Sequence, residues 1–135
     1  MKKTEYKTYL FELFDAPVDG VSYEERMALI ERYLVEYQIK HDKQRDQPNR
    51  GDPWTDEELR VVLMDAPTKS NCIKYAKIFG RGYGSIEQIY RWASTDDQTV
   101  KEKRPDDIFV AHVKRIAKGC RGGQFRGGVP ASGAS

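Results

Sequence analysis

The chain has 135 residues, of which 39% are hydrophobic and 33% charged, with a formal net charge of +2. This composition is typical of a soluble globular protein rather than a disordered one, and the length suits one modest core with appendages. No apolar run approaches membrane-spanning length, and the first six residues, MKKTEY, lack the apolar core of a signal peptide. We therefore expect a cytoplasmic protein, nucleoid-associated if it binds DNA, with no membrane partner.

Residues 1–47 predict a helical hairpin. Apolar residues at helical spacing indicate a first helix over residues 6–15, and Pro17 and Gly20 end it. Ser22 and Glu25 form a capping box that begins a longer helix, to about residue 43. The tyrosine-rich stripe of this hairpin packs on the rest of the chain or forms a homodimer interface through residues 6–43. Packing is favoured because a small unit needs extra core.

A polar stretch, residues 41–53, follows the hairpin. It has no apolar residue apart from its prolines, and Pro48, Gly51 and Pro53 oppose helix formation. We place a linker at residues 48–53, with a domain boundary near residue 50. The arginines of this stretch are expected to be solvated, and an arm that contacts a phosphate backbone is the alternative.

Two short helices are predicted next. Thr55 and Glu58 form a capping box at the start of the first helix. The second helix covers residues 71–79, where apolar residues recur at helical spacing. Gly80 follows it and is suited to the left-handed conformation that closes a helix.

A third helix is expected to begin at Ser85, with Gln88 in the capping-box position. One of its faces is apolar and is assigned to packing. The opposite face carries Glu87, Gln88 and Arg91, so we expect a polar partner there.

Residues 94–104 predict a polar connection to a final helix. Pro105 suits the first position of that helix, which is expected to run to about residue 118 and to end at Gly119. Residues 119–135 form an Arg/Gly-rich tail that we expect to be flexible and at most an accessory contact to nucleic acid. The final helix is predicted to bury Phe109, Val113, Ile116 and Ala117 and to expose Lys114, Arg115 and Lys118.

Residues 54–93 resemble the Myb/SANT-like helix-turn-helix domains. Trp54, followed by Thr and acidic residues, matches the first of the three spaced aromatic residues of that family's repeat. Residues 72–76, CIKYA, match the second block with Cys72 in the aromatic slot, residues 79–81 match the Gly-Arg turn, and residues 91–92 match the last aromatic position. The resemblance implies a tri-helical unit. With the hairpin and the C-terminal helix predicted above, we expect an all-α fold, with the helix-turn-helix domain and its C-terminal helix at residues 54–118.

The resemblance also implies binding of double-stranded DNA, as a small transcriptional regulator or DNA-binding accessory factor. The third helix would lie in the major groove, where Gln88 suits adenine, Arg91 suits guanine and Glu87 accepts from cytosine. Residues 69–91 hold five basic residues against one acidic residue, Glu87, which indicates a basic patch. The residues expected to contact phosphates are Lys74, Lys77, Arg81 and Ser85.

The sequence favours no enzyme, cofactor or metal site. His41 and His112 are far apart without a cysteine or carboxylate cluster at ligand spacing, and no Gly-rich loop ends in Lys-Ser/Thr. Cys72 and Cys120 indicate neither a disulfide framework nor a zinc site. The alternative function is a SANT-like protein-interaction adaptor or inhibitor without DNA binding, for example a phage- or defence-related one, because acidic residues reduce the positive charge of this region.

Overall fold

The computed structural model describes residues 1–121, and these residues are all-helical, without a strand. The prediction of an all-α fold is confirmed. Contacts divide the chain into one unit of Met1–Lys40 and a second unit that begins at His41. Over the described residues, no helix is long and apolar enough to cross a membrane. The helices are α1 (Lys3–Asp15), α2 (Tyr23–Lys40), α3 (Asp56–Leu63), α4 (Lys69–Phe79), α5 (Tyr83–Ser94), α6 (Asp97–Lys103) and α7 (Ile108–Arg121), with a short 3-10 helix at Asp42–Gln44.

The first unit consists of α1 and α2, and neither helix has a buried residue. The predicted capping box at the start of α2 is present: the Ser22 amide donates to Glu25 at 2.9 Å, and the Glu25 amide donates to the Ser22 hydroxyl at 3.2 Å. Nε of Arg26 donates to the carbonyl of Phe14 at the end of α1, at 3.1 Å. The tyrosine-rich stripe of this unit is largely exposed. Helix α2 ends at Lys40, before the predicted residue 43.

The core of the second unit lies where α3, α5 and α7 meet, and α4 packs on α5. The inner face of α5 contributes Ile86, Ile89 and Trp92, which are at most 9% exposed. Burying one such side chain stabilises the fold by about 1.5–3 kcal/mol. Burial also raises the pKa of the Cys72 thiol to about 11, so this cysteine behaves as a core residue. The core thus holds α5 along one side.

Local signals at the ends of α3 and α4 are confirmed. The Thr55 amide donates to Glu58 at 2.9 Å, and the Glu58 amide donates to the Thr55 hydroxyl at 3.1 Å. Helix α4 begins at Lys69, two residues earlier than predicted, because the Thr68 hydroxyl caps it by accepting from the Asn71 amide at 3.0 Å. Gly80 closes α4 in the left-handed conformation, with φ 63° and ψ 41°.

Two predictions in the middle of the second unit are wrong. Helix α5 begins at Tyr83 rather than Ser85, so Ser85 lies in the first turn and is not the cap. Residues 97–103, predicted as part of a polar connection, form α6, because the Asp96 carboxylate accepts from the Thr99 amide at 2.8 Å and satisfies its first turn.

The last helix also differs from its prediction. Helix α7 begins at Ile108 rather than Pro105, with the Asp107 carboxylate accepting from the Val110 amide at 3.0 Å. It continues past Gly119 to Arg121, and residues 122–135 of the predicted tail lie outside the described residues. Lys114, predicted to be exposed, is buried, and its ammonium donates to the carbonyl of Thr95.

We predict opposite effects from alanine at two glycines of the second unit. Gly80→Ala would force a left-handed φ on a side chain whose Cβ lies 3.0 Å from Asn49 and 3.1 Å from Pro48. We expect it to lower the free energy of unfolding by about 1–3 kcal/mol. Gly84→Ala, inside α5 with no atom within 4 Å of the new Cβ, should raise it by about 0.5–1 kcal/mol. Urea unfolding followed by circular dichroism measures both, and equal stabilities would contradict the argument.

Candidate nucleic-acid interface

The outward face of α5 exposes the three residues predicted to read bases. Glu87, Gln88 and Arg91 are all exposed, whereas Ile86 and Ile89 on the inner face are fully buried. Because the core fixes the inner face, the direction of the three polar side chains is set by the helix itself. The structure therefore places the predicted readers together on one accessible surface.

Each of these three side chains has a partner on α5 itself. Arg91 pairs with Glu87 at 3.1 Å, four residues apart on the same helix. The amide oxygen of Gln88 accepts from Nε1 of Trp92 at 3.3 Å. Both partners of the ion pair are about half exposed, 55% and 47%, and such pairs contribute only ~0–1 kcal/mol. The Arg91–Glu87 pair therefore exchanges for another polar partner at low cost.

The start of α5 is capped by a residue distant in sequence. Gly82 precedes the helix and has no side chain to cap it, and the Asp42 carboxylate accepts from the Tyr83 amide at 3.0 Å instead. Arg45 donates to the other oxygen of Asp42 at 2.6 Å and holds the carboxylate in place. The first amide of α5 is therefore already bonded to a carboxylate of the chain itself.

Residues 48–53, predicted to be a linker, are bound to the turn between α4 and α5. The Asn49 amide donates to the carbonyl of Gly80 at 2.9 Å, and its side-chain amide donates to the carbonyl of Phe79 at 2.8 Å. Helix termini leave several carbonyls without partners inside the helix, and Asn49 satisfies two at this turn. Residues 48–53 therefore belong to the second unit, which begins at His41.

Arg81 was predicted to contact a phosphate, and the structure corrects this prediction. Its side chain is 4% exposed and stacks on the Trp54 ring, with 3.8 Å from the guanidinium carbon to the ring centroid. Its Nη atoms donate to the carbonyls of Asp52 and Pro53. A cation over an aromatic face and bound to carbonyls is stabilised inside the fold. Arg81 therefore anchors residues 52–54 and does not reach a surface ligand.

The remaining predicted phosphate contacts lie at or near the surface. Lys74 and Lys77 are exposed on α4, and Ser85 is half-buried in the first turn of α5. Lys74 pairs with Asp65 at 3.0 Å. Tyr75 donates to the same carboxylate, and this hydrogen bond, followed by that of Lys74, lowers the pKa of Asp65. The basic patch is therefore smaller than the sequence indicates.

A groove beside α5 was not predicted. It has a volume of about 500 Å³, and Ile108 at its wall is 87% exposed. The sequence signal for this groove is the pair of consecutive apolar residues at the start of α7. Only one of Ile108 and Phe109 can lie on the helix face that packs on the core, so the other is exposed. The side chains that line it are those of Asp52, Pro53, Trp54, Arg81, Ser85, Gln88, Ile108, Phe109 and His112.

A second polar cluster joins α3 to α7. Nε2 of His112 lies 2.6 Å from the Asp56 carboxylate, and Arg115 donates to the same oxygen at 3.1 Å. The His112 hydrogen bond and then that of Arg115 lower the pKa of Asp56. Among the described residues, no group of three or more His, Cys, Asp or Glu side chains is placed to hold a metal ion. The cluster is a contact between helices, and sequence spacing alone gives no sign of it.

These features describe an all-α protein in which one helix is held by the core and presents a polar face. Residues 48–122 match the family described as Uncharacterised protein PM1205 C-terminal domain. The curated relative Uncharacterized protein PM1205, from Pasteurella multocida (strain Pm70), is 45% identical over 119 residues, which cover 87% of this chain and 95% of the relative. The chain therefore belongs to the PM1205 C-terminal domain family. No solved structure matches it.

Asp42→Ala should destabilise the second unit by about 0.5–2 kcal/mol, because it removes the cap of α5. Asp42→Asn keeps an acceptor oxygen and should recover most of the loss. Asp46→Ala, at an exposed position nearby, is the control for the change in charge. Urea unfolding followed by tryptophan fluorescence measures all three, and an Asp42→Ala protein as stable as Asp46→Ala would remove the capping role.

Asp65→Asn should lower the stability in a pH-dependent manner. The folded pKa of Asp65 is lowered, so its carboxylate stabilises the fold above the ordinary carboxyl pKa, and this contribution is lost as the pH falls through the folded pKa. The side chain is 40% exposed, so we expect a loss below about 1 kcal/mol at pH 7. The free energies of unfolding of the two proteins should converge in acid. A constant difference down to pH 3 would contradict the assignment.

Proposed function

We propose that this protein binds double-stranded DNA through α5, as a small transcriptional regulator or DNA-binding accessory factor in the cytoplasm, at the nucleoid. The observation that supports the proposal is the two-sided environment of α5. Its inner face is locked by core residues such as Ile86 and Ile89, and its outer face exposes Glu87, Gln88 and Arg91. The proposed arrangement is a Myb/SANT-like helix-turn-helix, and it requires no cofactor or catalytic step.

The exposed outer face of an α helix fits the major groove. In the proposed complex Arg91 leaves its exposed pair with Glu87 and donates to a guanine, and Glu87 then accepts from a cytosine amino group. Gln88 bonds an adenine, which requires its amide to turn from Nε1 of Trp92. These exchanges cost little, because the pair is half exposed and the amide contact is 3.3 Å long.

The phosphate contacts of the proposal come from α4 and the first turn of α5. Lys74, Lys77 and the hydroxyl of Ser85 take this role, and Arg81 is left out because it is buried. Each phosphate neutralised by a lysine contributes about 0.9 to the slope of log affinity against log salt. Two lysines therefore give a slope near two per chain, which is shallow for a DNA-binding protein.

Lys77→Ala should weaken binding to specific and random duplexes alike and reduce the salt slope by about one. Lys101→Ala, which removes an exposed lysine from α6, is the matched control and should leave the slope unchanged. Fluorescence anisotropy with a labelled random-sequence duplex across a salt series measures both. An unchanged slope for Lys77→Ala would remove this residue from the footprint.

Arg91→Ala should cost about 1–3 kcal/mol of binding and relax the preference at one base position. The measurement is a selection from a randomised duplex library, followed by titration of the selected site and its single-base variants. Arg60→Ala, on α3, removes an exposed arginine that also pairs within its own helix and is the control. Equal loss on every duplex would assign Arg91 to the backbone rather than to a base.

The groove supports a second candidate function, that of a protein-interaction adaptor or inhibitor without DNA binding. Its walls combine Trp54, Phe109 and the 87% exposed Ile108, which suits an apolar side chain of a partner. Absence of duplex binding even at low salt would overturn the DNA proposal. Selection of binding peptides from a display library, with loss of binding in Ile108→Ser, would then assign the adaptor function.

A further inference from the structure

Helix α2 carries a regular stripe of large apolar residues. Tyr23, Met27, Ile30, Leu34 and Tyr37 alternate at spacings of four and three residues along the helix. Tyr23, Leu34 and Tyr37 are 62%, 57% and 61% exposed, and Met27 and Ile30 are half-buried. This alternation is the a/d pattern of helices that pair side by side in a left-handed supercoil. The stripe therefore has the spacing of a surface that packs against another helix.

Within the first unit this stripe is covered only in part, since Met27 and Ile30 are half-buried and the rest is exposed. Neither α1 nor α2 buries a single residue, so the unit has no core of its own. Two helices of 13 and 18 residues are too small to be stable by themselves in water. A partner helix would give the unit the core that it lacks.

The charges beside the stripe indicate what this partner is. In the heptad defined by the stripe, Glu24 and Glu31 occupy e positions, while Arg26 and Lys40 occupy g positions. In a parallel pair, a g residue faces the e residue five positions later in the partner, so Arg26 meets the partner's Glu31, and the reverse contact is identical by symmetry. In an antiparallel pair the acidic e positions face each other and repel.

We propose that α2 forms a parallel two-stranded coiled coil with α2 of a second copy of this chain. The interface consists of the stripe, which becomes buried, and of two symmetric Arg26–Glu31 ion pairs. Because α2 spans 18 residues, about two and a half heptads, the dimer exchanges between copies, so variants can be mixed. The proposal does not depend on DNA binding.

Sedimentation equilibrium of the full chain, from micromolar to several hundred micromolar, tests the dimer. We expect the wild type to reach the mass of two chains and Leu34→Asn to stay at the mass of one. Val61→Asn, which changes an exposed apolar residue of α3, is the control and should still dimerise. A wild type that stays monomeric over the whole range would overturn the proposal.

Charge reversal tests the pairing. Arg26→Glu and Glu31→Lys each place like charges at both ion pairs, and each should raise the dimer dissociation constant about tenfold or more. An equimolar mixture of the two variants pairs opposite charges at both sites and should recover wild-type dimerisation. Arg32→Glu reverses an arginine that is 64% exposed at an outer f position and should have little effect.

The mixture separates pairing from a local effect. Arg26 also donates to the carbonyl of Phe14 within its own chain, and a second chain cannot restore that contact. Failure of the mixture to recover dimerisation would therefore overturn the proposed ion pairs. Circular dichroism of each variant alone checks that the helices persist.

A disulfide tests the orientation. In a parallel pair an a position faces itself, so Leu34→Cys in a Cys120→Ser background should cross-link two chains under mild oxidation. Cys72 is buried with a raised pKa and stays in place. Arg32→Cys in the same background is the control and should not cross-link. Equal or no cross-linking of the two variants would overturn the parallel arrangement. If duplex binding fails while these results hold, the proposed function is lost and the dimer stands.

Discussion

Hydrogen bonds between residues 42–49 and the turn between α4 and α5 hold the start of α5 in place. Asp42 accepts from the amide of Tyr83, Arg45 donates to the carbonyl of Arg81, and Asn49 binds the carbonyl of Gly80. The turn holds its left-handed Gly80 against Asn49 and Pro48, where a side chain would not fit. Everything proposed for the outer face of α5 depends on this turn, because a rotation of the helix would exchange buried and exposed residues.

Signals that act within one helical turn could be predicted from the sequence. The capping boxes of Ser22 and Thr55 and the left-handed Gly80 are present because their partners lie three or four residues away. The exposure of Gln88 and Arg91 also follows from the apolar period of α5. Helix α6 escaped prediction, since its seven residues are nearly all polar and only Asp96 marks its start.

Hydrogen bonds between residues that are distant in the sequence could not be predicted. Arg81 and Lys114 look like surface cations in the sequence, yet each is bound to carbonyls of residues 19–29 positions away and is buried. Asp42 gives no local sign that it caps a helix 41 residues later. Long side chains reach several ångströms from their own backbone, so periodicity defines a face but not the partner. The basic patch and the groove depend on these distant contacts. The sequence therefore predicted a basic patch larger than the one observed and did not predict the groove.

The contacts of Asp42 and Arg45 also determine where a fragment that contains the complete second unit must begin. The family match starts at residue 48, so a fragment trimmed to that match discards both residues and leaves the first amide of α5 without its acceptor. Such a fragment keeps every residue of α3, α4 and α5 and still lacks the restraint on the turn between the last two. A fragment that starts at His41 retains this restraint. The seven residues between the two starting points therefore decide whether the turn before α5 keeps its hydrogen bonds.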